Sequence, residues 1–284
     1  MNSVLIIGCG DIGRRVARRH LAKSQQVFGV VRSESSAQQA EESGITPIIC
    51  DLDQTNSLTL PQADGVYYFA PPPNEGEDDP RLQKLLDLLS TRPPKALVYI
   101  STTGVYGSSD GQWIDEDSPL EAATGRAKRR LNAEQALLAW QPEQAVRRVI
   151  LRVPGIYGPG RLPAERIRKG LPMVHAEQSP WTNRIHADDL AMICSTALQQ
   201  AGDGQIFNAC DGAPSTMTDY FLKVADHLSL TRPPLVSMQE AAEVLSPAMM
   251  SYLSESRRIS NRKLLETLQI TLSYPDLDAG LKSC

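Results

Sequence analysis

Glycines near the start of the chain have the spacing of a phosphate-binding loop. The segment Gly8-Cys9-Gly10-Asp11-Ile12-Gly13 reads GxGxxG and directly follows an apolar run at residues 4–7. In such a loop the first glycine permits a tight turn, the second lets a diphosphate approach the backbone, and the third lets helix and strand pack closely. The helix that follows offers free amides and a partial positive charge to the phosphates. The residues predicted to contact a dinucleotide here are Gly8, Gly10, Asp11, Ile12 and Gly13.

The residues after the second apolar run bear on which dinucleotide binds. Sites for NAD usually carry an acidic residue there, about 20 residues beyond the loop, to hold the ribose 2′-hydroxyl. This chain has Val30-Val31-Arg32-Ser33 instead. An arginine followed by a serine suits a 2′-phosphate, so we favour NADP with Arg32 and Ser33 as contacts. Glu34 follows directly and keeps NAD open as the alternative.

Two further strand ends supply candidate cofactor contacts. Asp51 and Leu52 follow the third apolar run, where an adenine contact is expected, although Asp51 serves equally well as a turn-initiating residue. Ala70 and Pro71 begin a proline-stiffened loop after the fourth run, and this loop should pass beside the cofactor.

The elements that must position these residues follow from apolar periodicity. Short runs rich in β-branched residues alternate with helical segments, which is typical of a parallel sheet covered on both faces. The runs lie at 4–7, 27–31, 45–49, 66–70, 96–100 and 146–151, and the helical segments include 12–23, 80–89 and 127–140. This order predicts an α/β protein with a doubly wound parallel sheet, the Rossmann fold.

The pattern changes after residue 150, and proline and glycine then cluster. Helices are expected at 188–200 and 218–228, with a short strand at 206–208. We predict a Rossmann domain over residues 1–153, with a further contribution from about 183–207. A smaller, partly interleaved α/β domain on the substrate side is predicted over 154–182 and 208–284. Ligands are expected in the cleft between the two domains.

Composition excludes several classes of function. The net charge of −4 over 284 residues argues against a general affinity for nucleic acid or anionic membranes. The five cysteines are scattered without a CxxC pair, so we expect no disulfide framework and no metal site. No apolar run approaches the roughly 18 residues of a membrane span, and the N-terminus lacks a signal-peptide pattern. We therefore expect a cytoplasmic protein.

Several segments together resemble one known family. Residues 98–107, which end the fifth apolar run, are similar to the strand-end motif of extended short-chain dehydrogenase/reductases, the family of nucleotide-sugar epimerases and dehydratases. The glycine loop supports this resemblance, and so do four further segments in the family's order, at 151–160, 184–190, 207–212 and 260–264.

The resemblance implies hydride transfer with a nicotinamide cofactor, using Ser/Thr, Tyr and Lys. Thr102 matches the hydroxyl residue that holds the substrate oxygen. Lys128 matches the lysine of YxxxK, which binds the nicotinamide ribose and lowers the tyrosine pKa. Thr124 occupies the tyrosine position. Because an aliphatic hydroxyl has a much higher pKa than the phenol value of about 10, we do not expect Thr124 to transfer a proton. The proton-transfer residue stays unassigned.

The resemblance also places residues around the substrate and adds two cofactor contacts, Val153 and Pro154. The predicted substrate-pocket residues are Thr103, Tyr106, Gly155, Tyr157, Arg161, Asn183 and Arg184. Gly155 stands where epimerases often carry asparagine, and Thr182 where they often carry arginine. These departures argue against a standard UDP-sugar substrate.

Three functions remain open at this point. The first is an NAD(P)-dependent enzyme that acts on a sugar-like or nucleotide-linked small molecule. The second is a non-catalytic NADP-sensing regulator that acts through a partner. The third is a reductase of different chemistry on the same scaffold. Family habit further implies a homodimer through the helical segments at 80–89 and 127–140.

Overall fold

Strands and helices alternate through the first half of the chain. A computed structural model describes residues 1–54 and 59–284. In chain order the elements are β1 (Ser3–Ile7), α1 (Asp11–Leu21), β2 (Gln26–Val31), α2 (Glu34–Glu42), β3 (Thr46–Ile49), β4 (Gly65–Tyr68), α3 (Pro80–Ser90), β5 (Ala96–Thr102), β6 (Trp113–Ile114), α4 (Gly125–Ala139) and β7 (Arg147–Val153).

The second half contains shorter strands and more loop. Its elements are β8 (Gly155–Tyr157), α5 (Ala164–Arg168), β9 (Met173–Val174), β10 (Trp181–Thr182), β11 (Arg184–His186), α6 (Ala187–Gln200), β12 (Gln205–Asn208), β13 (Ser215–Thr216), α7 (Met217–His227), β14 (Leu235–Val236), α8 (Met238–Val244), α9 (Pro247–Leu253), β15 (Arg258–Ile259), α10 (Arg262–Leu268) and α11 (Leu277–Leu281).

Seven strands form one sheet in the order β12-β7-β5-β4-β1-β2-β3. Every neighbouring pair in it is parallel. The order of strand addition reverses between β1 and β4. At such a reversal, ligands bind outside the carboxyl ends of the strands. The predicted doubly wound sheet is confirmed.

Helices cover both faces of this sheet because each face is apolar. Side chains of α1, α2 and α6 pack into a core on one face, and those of α3 and α4 into a core on the other. Helix α1 has the expected amphipathic period, since it buries one stripe of residues. These residues are Ile12, Gly13, Val16, Ala17 and His20.

Helix α2 was not expected from the sequence. It buries only Ala37 and Ala40, so its apolar stripe is too weak to identify by periodicity. Ser33 begins it as the N-cap, and its hydroxyl accepts a hydrogen bond from the Ser36 amide at 3.3 Å.

A third apolar core forms in the C-terminal half, around α7. It contains Phe221 and Val224 of that helix with Val174 of β9 and Leu281 of α11. The domain boundaries given above stay a prediction. Within the residues described, none of the helices combines the length and apolar character that a membrane span requires.

Candidate functional site

The glycine loop joins β1 to α1 at the carboxyl edge of the sheet. Gly8 has a φ of +83°, and a β-carbon there would lie 2.6 Å from the backbone nitrogen of Ala70. Gly10 has a φ of −80°, and a β-carbon there would meet no other protein atom within 4 Å. Gly8 is therefore required by the neighbouring strand end, whereas the space at Gly10 is open to a ligand. This arrangement fits a diphosphate.

A cleft of about 650 Å³ runs along the ends of β1, β2, β3 and β4. The residues that line it were largely expected from the sequence. The predicted cofactor contacts on its wall are Gly8, Gly10, Arg32, Ser33, Asp51, Leu52, Ala70 and Pro71. Ser36 and Arg81 also line it and were not predicted. The remaining predicted contacts, Asp11, Ile12, Gly13, Lys128, Val153 and Pro154, lie off this wall.

Arg32 and Ser33 lie where β2 gives way to α2, and both are exposed on the wall of the cleft. Glu34 belongs to the first turn of α2 and is not among the residues that line the cleft. The charged lining residues at this end are therefore two arginines, Arg32 and Arg81, and one acid, Asp51. Arg81 is paired with Asp53.

Asp11 ties the glycine loop to the loop that follows β8. Its carboxylate accepts hydrogen bonds from Arg161 Nη1 at 2.8 Å and Arg15 Nε at 3.0 Å. Burial raises the pKa of Asp11, but the hydrogen bonds from both arginines outweigh burial and hold that pKa below its ordinary value. Arg161, which the sequence places in the substrate pocket, thus lies beside the first turn of α1.

A second cavity, of about 420 Å³, lies at the ends of β5 and β7. It brings together most of the predicted substrate-pocket residues. Those that line it are Thr103, Gly155, Tyr157, Asn183 and Arg184, with Thr102 and Pro154 beside them. The cavity and the cleft lie on the same edge of the sheet, since β4 and β5 are hydrogen-bonded neighbours.

Thr102 ends β5 and lines the cavity. Its Oγ1 accepts a hydrogen bond from the Gly104 amide at 3.1 Å. A hydroxyl has one proton to donate and two lone pairs, so the Thr102 proton can still be donated to a ligand oxygen. Asn183 differs, because its amide group already bonds the backbone of Arg257 and Ile259.

Thr124 and Lys128 do not line the cavity. Thr124 is the N-cap of α4, and its Oγ1 accepts from the Ala127 amide at 3.3 Å. Lys128 Nζ lies 2.9 Å from Glu77 Oε1, in a pair whose side chains are 47% and 66% exposed. The acidic segment 75–79 is bound to α4 by Lys128 and by Arg129, which donates to the Gly76 carbonyl.

Tyr106 is buried and does not line the cavity. Its hydroxyl donates to Asn208 Oδ1 at 2.8 Å and accepts from Arg152 Nη1 at 2.9 Å. Arg152 in turn pairs with Glu134 at 2.8 Å, with both side chains 3% exposed. Burial raises the pKa of Tyr106 to about 12, although Arg152 opposes that shift. Tyr106 is therefore held in a buried polar network.

The cavity contains charged and aromatic residues that sequence reasoning did not place there. In the basic run 126–130, Arg126 lines the cavity and Arg129 is buried. The other unexpected lining residues are Met217, Tyr220, Phe221, Met249, Tyr252, Glu255 and Arg257. Trp181 also lines the cavity. The arginines of the run 126–130 were the sequence feature that could have indicated a charged wall in this cavity.

The chain has a 28% identical relative, Protein YeeZ of Escherichia coli K12, aligned over 246 residues, 82% of this chain and 86% of the relative. A conserved protein of unknown function from Silicibacter pomeroyi has a solved structure with a TM-score of 0.88 and 28% identity, covering 99% of this chain and 97% of its own.

Two solved structures with bound ligands share the fold. The human epimerase family protein SDR39U1 with NADPH has a TM-score of 0.78 and 22% identity, over 99% of this chain and 98% of its own. MoeE5 with UDP-glucose and NAD has a TM-score of 0.78 and 19% identity, over 99% and 96%. The sequence of this chain matches the NAD dependent epimerase/dehydratase family over residues 4–210, and the chain belongs to that family.

Proposed function

We propose that this protein binds NADP(H) in the cleft and transfers hydride to or from a hydroxyl-bearing carbon of a small, sugar-like molecule in the second cavity. The observation that carries the proposal is the position of the two sites. The glycine loop and the Thr102 hydroxyl lie on one edge of one sheet, on strands separated only by β4. A nicotinamide supplies hydride transfer when bound.

The preference for NADP rests on the end of β2. Arg32 provides a positive charge on the cleft wall, and Ser33 adds a hydroxyl at the N-terminus of α2. A phosphate is stabilised by both a guanidinium and a helix N-terminus. Glu34 is not among the residues that line the cleft, which supports NADP over NAD in this proposal.

Thr102 is proposed to hold the reacting oxygen of the substrate. Its hydroxyl is oriented by the Gly104 amide and keeps its proton for donation. Proton transfer has no obvious residue among the described side chains of the cavity. Tyr157 lines it, but burial raises the pKa of its phenol, and its hydroxyl donates to the Asp276 carbonyl at 3.0 Å.

A second function is favoured by the positions of Thr124 and Lys128. The threonine hydroxyl caps a helix, and the lysine pairs with Glu77, so neither side chain lines the cavity. This arrangement suits a protein that binds NADP without turning over a substrate and acts through a partner. The expected homodimer also stays a prediction.

Restoring the missing phenol tests both functions. Wild type, Thr124→Tyr and Thr124→Phe are each incubated with reduced or oxidised cofactor and a panel of sugars, sugar phosphates and nucleotide sugars. The enzyme proposal expects turnover to rise in Thr124→Tyr and not in Thr124→Phe, which adds a ring without a hydroxyl. If all three bind NADPH and none ever changes the redox state of the nicotinamide, the non-catalytic function is supported instead.

A further inference from the structure

The second cavity has an excess of positive charge. Its charged lining residues are three arginines, Arg126, Arg184 and Arg257, and one acid, Glu255. Glu255 lies 2.8 Å from Arg257 and 3.6 Å from Arg126, so a single carboxylate serves both of those guanidinium groups. The lining therefore carries two positive charges that no lining acid neutralises.

Arg184 is the most buried of these arginines. It follows Asn183 at the start of β11, and the residue is only 8% exposed. Its guanidinium lies 3.8 Å from the centre of the Tyr220 ring, and Nη1 donates to Thr182 Oγ1 at 2.8 Å. Both contacts are to uncharged groups, and burial lowers the pKa of Arg184.

No carboxylate forms an ion pair with Arg184 in the parts of the chain that the structure describes. The buried carboxyl group that acts on it most strongly is that of Asp211, which lies beyond ion-pair distance. Burial raises the pKa of Asp211 to about 7, so this group is only partly ionised at neutral pH. A buried arginine without a counter-ion is costly to the fold.

We infer that the molecule bound in this cavity carries a compact oxyanion, a phosphate monoester or a carboxylate, which pairs with Arg184 and with Arg126 of the same lining. The inference rests on the proposed function, because it takes this cavity as the substrate site. Arginine suits the role since its planar fork matches both oxyanions. The bound anion would then compensate the positive charge of Arg184, which the folded chain alone leaves without a counter-ion.

The remaining walls indicate what the anion is attached to. Thr102 and Thr103 offer hydroxyls, while Trp181 offers a flat apolar face of the kind that packs against sugar rings. The volume of about 420 Å³ is at the lower end of the range for sites that enclose small molecules. These features favour a phosphorylated or carboxylated sugar over a ligand with an added nucleoside.

Calorimetric titration of the full chain, saturated with NADP⁺, tests the inference. The probes are glucose 6-phosphate, glucuronate, UDP-glucose and neutral glucose. We expect glucose 6-phosphate or glucuronate to bind at least about tenfold more tightly than glucose, with affinity that falls as salt rises. The two anionic sugars separate phosphate from carboxylate recognition. Equal binding of glucose, or no binding of either small anion, overturns the inference.

Arg184→Gln should reduce anion affinity by about tenfold or more, because glutamine lacks the positive charge and has one NH2 group where the guanidinium has two. Arg166→Gln is the matched control, since Arg166 also stacks on an aromatic ring, Phe221, but does not line the cavity. Anion affinity that survives Arg184→Gln refutes the inference. If that variant does not fold, Arg126→Gln at the partly exposed position must weaken the same ligands severalfold, or the inference fails.

Titration of the same samples with NADPH keeps the two proposals apart. Cofactor binding without anion binding contradicts only the present inference. Loss of cofactor binding in the wild type contradicts the proposed function. Preferential binding of UDP-glucose that does not depend on Arg184 shows instead a nucleotide-linked substrate held by other residues.

Discussion

Alanine substitutions at the first two glycines of the loop should separate folding from cofactor binding. At Gly8 the φ is +83°, so a residue with a β-carbon there would destabilise the fold by about 1–2 kcal/mol. The same β-carbon would lie 2.6 Å from a backbone nitrogen, and overpacking of this kind costs about 1–3 kcal/mol more. We therefore expect Gly8→Ala to lose about 2–5 kcal/mol, which lowers Tm by about 3–8 °C.

At Gly10 the same change should be nearly neutral for stability. The φ of −80° is accessible to alanine, and the new β-carbon meets no protein atom within 4 Å. Alanine is a poorer N-cap than glycine by up to about 1 kcal/mol. A gain of about 0.4–1 kcal/mol from the restricted unfolded chain offsets this loss. The methyl group would occupy the space for the diphosphate, so we expect NADPH affinity to fall at least about tenfold.

Thermal unfolding and NADPH fluorescence titration are measured on both variants, with Gly202→Ala as the control. A β-carbon at Gly202 makes only an ordinary contact at 3.8 Å, away from the cleft. Gly10→Ala that binds NADPH like the wild type would refute the assignment of this loop to the diphosphate. Gly8→Ala as stable as the wild type would refute the account of the turn.

Two further predictions concern the framework of the site. Glu134→Gln should cost about 3–5 kcal/mol in urea unfolding, because it leaves Arg152 buried without a carboxylate; a cost below about 1 kcal/mol would show that the pair is not a tight one. Asp211→Asn should stabilise the protein at about pH 8 and not at about pH 4, as followed by Tm against pH. The folded-state pKa of Asp211, raised to about 7 by burial, lies above the ordinary value of 3.8. Between these two pKa values the folded state holds a proton that the unfolded state has lost. The wild type therefore loses stability as pH rises through this range. A pH dependence identical in both proteins would contradict this assignment.

The strand ends could be predicted from the sequence because they depend on local patterns. The apolar runs and the GxGxxG spacing are sufficient to place Gly8, Arg32 and Thr102 at one edge of a parallel sheet. The order of the strands in the sheet then determines which strand ends are neighbours. Eight of the residues that line the cleft followed from this reasoning, whereas six other predicted contacts lie off its wall.

The direction of individual side chains could not be predicted in the same way. Lys128 pairs with Glu77, 51 residues away, in a segment whose composition indicates only solvation. Arg257 reaches the carbonyl of Gly107, 150 residues away. Tyr106 is hydrogen-bonded to Arg152 and Asn208, which lie on other strands, and so does not line the cavity. Such long-range contacts have no signature in the local sequence.

Titration of the purified protein with NADPH and NADH, in wild type and in Arg32→Gln, tests the central claim most directly. The account predicts saturable binding, tighter for NADPH, with the preference reduced or abolished by Arg32→Gln and retained in Glu34→Gln. No saturable binding of either dinucleotide would contradict the assignment of the cleft, and a preference for NADH would contradict the role given to Arg32.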